Sequence, residues 1–82
     1  MERVKSVKAL PGYRLEVEFS DGVRGILDYS DRLFGPMMEP LRDPERFAEV
    51  AVSEGIVCWP NGADLAPDAM YERLRDGAYS AR

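Results

Sequence analysis

Seven residues, Tyr13 to Phe19, alternate without a break: Tyr13, Leu15, Val17 and Phe19 on one face, Arg14, Glu16 and Glu18 on the other. A period of two over this length predicts a strand with one face buried and one wet. Ser20-Asp21-Gly22 then turns the chain. A two-residue loop would set Phe19 against Arg24 and Leu15 against Asp28. A three-residue loop, a type I turn with Gly22 at positive φ, sets Phe19 against Val23, Val17 against Gly25, Leu15 against Leu27 and Tyr13 against Tyr29. A slip of one residue moves every side chain to the other face. The second register keeps the apolar residues together and is the one expected. Its cost is Ile26, left on the polar side, which implies that something covers that position.

Val4, Val7, Ala9 and Leu10 predict a preceding strand. Val4 and Val7 differ in parity, which calls for a bulge between them, and Pro11-Gly12 supplies the connecting turn. A second hairpin is expected from Glu49 to Trp59. Ser53-Glu54-Gly55, taken as another three-residue loop, sets Val52 against Ile56 and Val50 against Cys58, with Cys58 facing inward. On this reading Phe-Ser-Asp-Gly-Val and Val-Ser-Glu-Gly-Ile are two uses of one turn chemistry, with Gly22 and Gly55 as the structural glycines.

Between the hairpins the pattern weakens. Ser30 or Asp31 is placed to cap a short helical turn through Leu33 and Phe34. Gly35-Pro36 breaks it, Pro40 keeps Glu39 extended, and Met37, Met38 and Leu41 are expected to close one end of the core. Asp43 at N-cap and Pro44 at N1 start a short helix. A last helix begins at Pro67 and runs to about Asp76, with Met70, Tyr71 and Leu74 on one face. Gly77 is a fitting stop, and residues 78–82 form a loose tail. Its N-cap would be Ala66, a poor capper, so Asp64 is expected to bond back to the exposed amides. The fold class is α+β: a small, mostly antiparallel sheet of about five strands, packed by a C-terminal helix and a short middle helix. One domain is expected over residues 1–82, ordered from about 3 to 76.

Composition excludes several functions. Histidine is absent and Cys58 is the single cysteine, so zinc and transition-metal sites lack ligands and no intramolecular disulfide can form. No metal or cofactor is expected. No apolar run reaches the ~18 residues of a membrane span, and the charged N-terminus lacks a signal-peptide core. A cytoplasmic protein is the expectation. The net charge is −4. Residues 1–14 hold four basic side chains against one acidic, and the other 68 hold seven against fourteen. An acidic body repels phosphate backbones, so direct nucleic-acid contact is not expected.

The densest local signal is Gly55 to Tyr71, where an apolar strand ends on the only tryptophan, Trp59, and turns through Pro60-Asn61-Gly62. Structurally, Trp59 anchors the core or its rim, Asn61-Gly62 makes the turn, Asp64 serves the helix start and Pro67 opens the helix. Functionally, Trp59, Asn61 and Asp64 surround a small groove for a peptide or ligand. The structural reading is preferred, because every residue there has a local conformational job. Elsewhere a nucleophile finds no base. Cys58 facing inward is inert, and Ser20 and Ser53 sit in tight turns without a histidine. Glu16 and Glu18 share a solvated strand face, and the glycines fit no phosphate loop. No catalytic constellation is visible.

Leu-x-Val-x-Phe-x-Asp-Gly in the first hairpin, Gly35-Pro36, Leu41 with Asp43 and Phe47, and above all Trp-Pro-Asn-Gly-Ala-Asp-Leu-Ala-Pro-Asp resemble the bacterial family called domain of unknown function 2442 (DUF2442). The resemblance covers about residues 3–74. The family's cap before the helix proline is often serine, where this chain has Ala66. The resemblance implies a small α+β domain and no established activity. It also implies company, since some relatives carry a helix-turn-helix domain and others accompany a second small protein in an arrangement similar to toxin–antitoxin pairs. With the chain ending just after its last helix, any DNA role is expected to be indirect. The expected function is a non-enzymatic protein-interaction module, the acidic member of a two-protein regulatory pair. The expected partner is a small protein or a second copy. The alternative is a small-molecule or peptide binder using the Trp59–Asp64 turn.

Overall fold

The computed structural model describes residues 2–75. Its order is β1 (Val4–Leu10), β2 (Arg14–Phe19), β3 (Arg24–Asp28), a 3-10 turn (Glu39–Arg42), α1 (Pro44–Phe47), β4 (Ala51–Ser53), β5 (Ile56–Cys58), β6 (Asp64–Leu65) and α2 (Pro67–Arg75). The strands form two three-stranded antiparallel sheets, β1-β2-β3 and β4-β5-β6. The α+β class is as expected, but there are six strands in two sheets rather than about five in one.

The first sheet follows the alternation. Leu15 pairs with Leu27 and Val17 with Gly25. The Phe19 N–H donates to Val23 O at 2.8 Å and Gly22 sits at φ 93°, which is the three-residue loop. The β1–β2 register shifts between Val4 and Ser6, so Val4 meets Phe19 while Val7 meets Val17. This is the bulge the parity required. Ile26 lies opposite Glu16 and stays half-buried.

The second hairpin differs from expectation. Val52 pairs with Val57 and Ala51 with Cys58. The loop is two residues, Glu54 (φ 52°) and Gly55 (φ 82°). Two positive φ angles in a two-residue loop match the right-handed twist of the flanking strands. The register therefore slips by one residue, and Cys58 lies off the core face, half-buried between the buried Val57 and Trp59. The true counterpart of the first turn is Trp59-Pro60-Asn61-Gly62-Ala63. The Trp59 N–H donates to Ala63 O at 2.9 Å, and Gly62 has φ 94°. Asp21 Oδ1 accepts from Val23 N and Asn61 Oδ1 from Ala63 N in the same place. This turn creates β6, a strand beyond the five expected.

Between the sheets no helical turn forms through Leu33 and Phe34. Glu39 opens a 3-10 turn with Pro40 as its second residue, in place of extended chain, because proline is tolerated at the first helical positions. Asp43 caps α1 as expected, accepting from Glu45 N at 3.0 Å. In α2, Met70 and Leu74 are buried and Tyr71 is half-buried. No bond runs from Asp64 to the α2 amides among the described residues. Asp64 belongs to β6, opposite Cys58, and is exposed. The Gly77 stop and the tail 78–82 lie outside the described residues.

One core joins these parts, centred on Leu15, Val17, Phe19, Leu27, Leu41, Val57 and Met70. The sheets meet at the start of β1. Arg3 O accepts from Ser20 N and Val4 N donates to Gly55 O, each at 2.9 Å. A Cβ on Gly55 would lie 2.9 Å from Arg3 Cβ, whereas one on Gly22 would meet nothing within 4 Å. Gly22→Ala is expected to lose about 1 kcal/mol to backbone strain. Gly55→Ala should lose clearly more in urea unfolding, because it also separates the sheets. Equal losses would show that the close approach is unimportant.

Candidate functional site

Trp59 directly follows β5 and is 4% exposed. Its Nε1–H donates to Phe47 O at 2.9 Å, and its ring lies 5.8 Å from the Phe47 ring. Tyr13 packs edge-on to Phe47 at 5.4 Å and donates its hydroxyl to Arg42 O. A buried indole N–H needs such a partner. These contacts tie the β5–β6 turn, α1 and the β1–β2 turn into one aromatic cluster. Trp59 is thereby a core anchor whose ring has little free face to stack on a ligand.

Asn61 has two jobs. Its carbonyl oxygen closes the turn on Ala63 N, and its Nδ2 donates to Met37 O at 2.9 Å. A Cβ on Gly62 would lie 3.1 Å from Met37 Cε, so the methionine passes closely over the bare glycine. At the other end of the same loop, Arg42 Nε donates to Leu33 O at 2.6 Å. The segment Leu33–Met38 is thus fastened at both ends, with Leu33 buried beneath it. Phe34 and Met37 point outward at 63% and 45% exposure. Met37 therefore does not close the core as expected; Leu41 does, with Met38 packed against it.

The three candidate residues are not gathered at one place. Trp59 and Asn61 border a hollow of about 240 Å³ with Leu41, Arg46, Glu49 and Pro60. Asp64 lines a different, open hollow with Ser53, Glu54, Ile56 and Cys58. A third hollow, about 330 Å³ and mainly apolar, lies between Pro11, Tyr13, Pro44 and Phe47. Among the described residues no three Cys, Asp or Glu side chains converge as metal ligands, and no helix is long and apolar enough to cross a membrane.

Electrostatics act locally. The Tyr71 hydroxyl donates to Asp21 Oδ2 at 2.6 Å. That bond, helped by Val23 N–H, holds the Asp21 carboxyl below its usual 3.8 and lifts the Tyr71 phenol above its usual 10.0. Asp28 is held low by the Ser30 N–H and hydroxyl, with Arg14 and Arg73 adding positive charge.

The arrangement defines a class: a small α+β domain of two three-stranded sheets sharing a core, with a braced apolar loop on its surface. A family model described as "Protein of unknown function (DUF2442)" matches residues 4–76. The chain belongs to that family. No curated protein and no solved structure matches it. Phe34 and Met37, expected in a helical turn and at the end of the core, are exposed instead. The available signal was their place on either side of Gly35-Pro36, a break at which apolar side chains easily turn outward.

Asn61→Ala removes both of its bonds and should cost about 1–2 kcal/mol. Asp64→Ala should stay within ~0.5 kcal/mol, as an exposed side chain without a capping bond does; parallel thermal melts compare them. The Asp21–Tyr71 bond has its own pH window. A lowered carboxyl contributes stability above its unfolded value, lost as pH falls through the folded value. A raised phenol contributes below its unfolded value, lost as pH rises through the folded one. In Tyr71→Phe the Asp21 carboxyl should titrate at higher pH by carbon NMR, and an unmoved titration would deny the bond.

Proposed function

We propose that the protein is a non-enzymatic interaction module that docks a small basic protein through the Leu33–Met38 loop, as the acidic member of a two-protein regulatory pair in the cytoplasm. One observation carries this reading: Phe34 and Met37 are large, apolar and exposed, yet their loop is fastened by Arg42 and Asn61. Isolated exposed apolar residues are ordinary, but a rigidly presented aromatic–methionine pair is the composition of an interface centre. Holding the loop in advance lowers the entropy cost of docking. The net charge of −4 favours a basic partner and speeds encounter with one.

The test is capture from the native host with the wild-type chain and with the double variant Phe34→Ser/Met37→Ser. The wild type should retain a small basic protein that the variant loses, while the two melt alike. Retention by both chains, or by neither, would remove the loop from the function.

A further inference from the structure

We infer that the outer edge of β3 is a self-pairing surface, and that two copies of this chain join there antiparallel about Ile26 into one continuous six-stranded sheet. The proposal does not depend on the Leu33–Met38 loop.

The backbone supplies the first argument. Phe19 N bonds Val23 O and Tyr29 N bonds Tyr13 O. Hydrogen-bonded pairs alternate along an antiparallel ladder, so Val23, Gly25, Leu27 and Tyr29 face β2 with their peptide groups. Those of Arg24, Ile26 and Asp28 face outward. Asp28 O takes Arg73 Nη2 at 3.2 Å and keeps a second lone pair. Among the described residues nothing bonds the outward peptide groups of Arg24 or Ile26. The opposite edge, β1, is engaged at Val4 by Gly55 O and carries Lys5 and Lys8, the usual guards against pairing.

The side chains supply the second. Arg24, Ile26 and Asp28 share the outer face of the sheet. A two-fold axis at Ile26 places Ile26 against its own copy and Arg24 against Asp28 of the partner subunit. The observed cross-strand pairs extend this pattern. One row then reads Arg14, Asp28, the partner's Arg24, the partner's Glu18, alternating in sign at each step. The central row runs from Lys8 through Glu16 to Ile26 and on through the same residues of the two-fold-related copy. A slip of two residues would oppose Ile26 to Arg24. The one apolar residue on a charged face thus acquires a reason, and the charges select a single register. A five-residue contact is smaller than a standard interface, so a reversible dimer is expected.

Sedimentation of the full chain over rising concentration should show monomer passing to dimer. Ile26→Lys should weaken association at least about tenfold, because it puts two ammonium groups on the axis, with its melt unchanged. Register is read by disulfide trapping in a Cys58→Ser background. Opposed hydrogen-bonded residues have Cα atoms about 5.5 Å apart, within disulfide reach, so Ile26→Cys should cross-link on mild oxidation. Arg24→Cys should not, because the two copies of that position lie about 14 Å apart along the strands. A wild type that stays monomeric, an Ile26→Lys that dimerises normally, or trapping that fails at 26 or succeeds equally at 24 would each overturn the proposal.

Discussion

One peptide unit, Arg3–Val4, bridges the two halves of this molecule directly through its backbone. Its carbonyl accepts from Ser20 in the turn of the first sheet and its N–H donates to Gly55 O in the β4–β5 turn of the second. Neither three-stranded sheet is large enough to bury its apolar face alone, and a domain of this length has little stability in reserve. The junction lets Val4, Phe19, Val57 and Met70 enter one core. It also explains why the tip of the β4–β5 hairpin must be bare. Gly55 supplies positive φ and the space that Arg3 occupies.

The aromatic cluster performs the same service at the other end. The Trp59 indole bonds the last carbonyl of α1, and Phe47 meets both Trp59 and Tyr13. With the turn thus fixed, Asn61 can reach across to Met37 O. The turn from Trp59 to Ala63 is therefore structural at Trp59 and Gly62. Its influence on the surface is indirect, through the loop that Asn61 steadies. The same division of labour recurs in the first sheet, where Phe19 anchors a turn of identical bonding and Asp21 reaches out to Tyr71.

The first hairpin was fully legible in sequence. Strict alternation on both sides of Ser20-Asp21-Gly22 allows one register that keeps the apolar faces together, and the bulge near Lys5 follows from parity alone. The cap at Asp43 and the apolar face of α2 were legible for the same reason, since each depends on a few adjacent residues. The second hairpin was not. Ser53-Glu54-Gly55 lacks an asparagine or aspartate to announce two left-handed residues in succession, and strands of three residues are too short for periodicity to fix their phase. The slip carried Cys58 off the core face. Of the three candidate residues, Trp59 and Asn61 border one hollow and Asp64 another, and the reach of Asn61 to Met37 spans twenty-four residues of sequence and left no local trace.

Sequence alone therefore determined the elements whose cause is local: β2 and β3 in register, the two glycine turns that follow Phe19 and Trp59, the capped α1, and the amphipathic α2. Tertiary structure decided how the strands divide into two sheets, which way Cys58, Phe34 and Met37 face, and where Asp64 lies. Those outcomes depend on contacts between residues far apart in the chain, made by backbone groups and by a bare glycine. Every residue carries the same peptide donor and acceptor, so the one-letter code does not show which of them will meet.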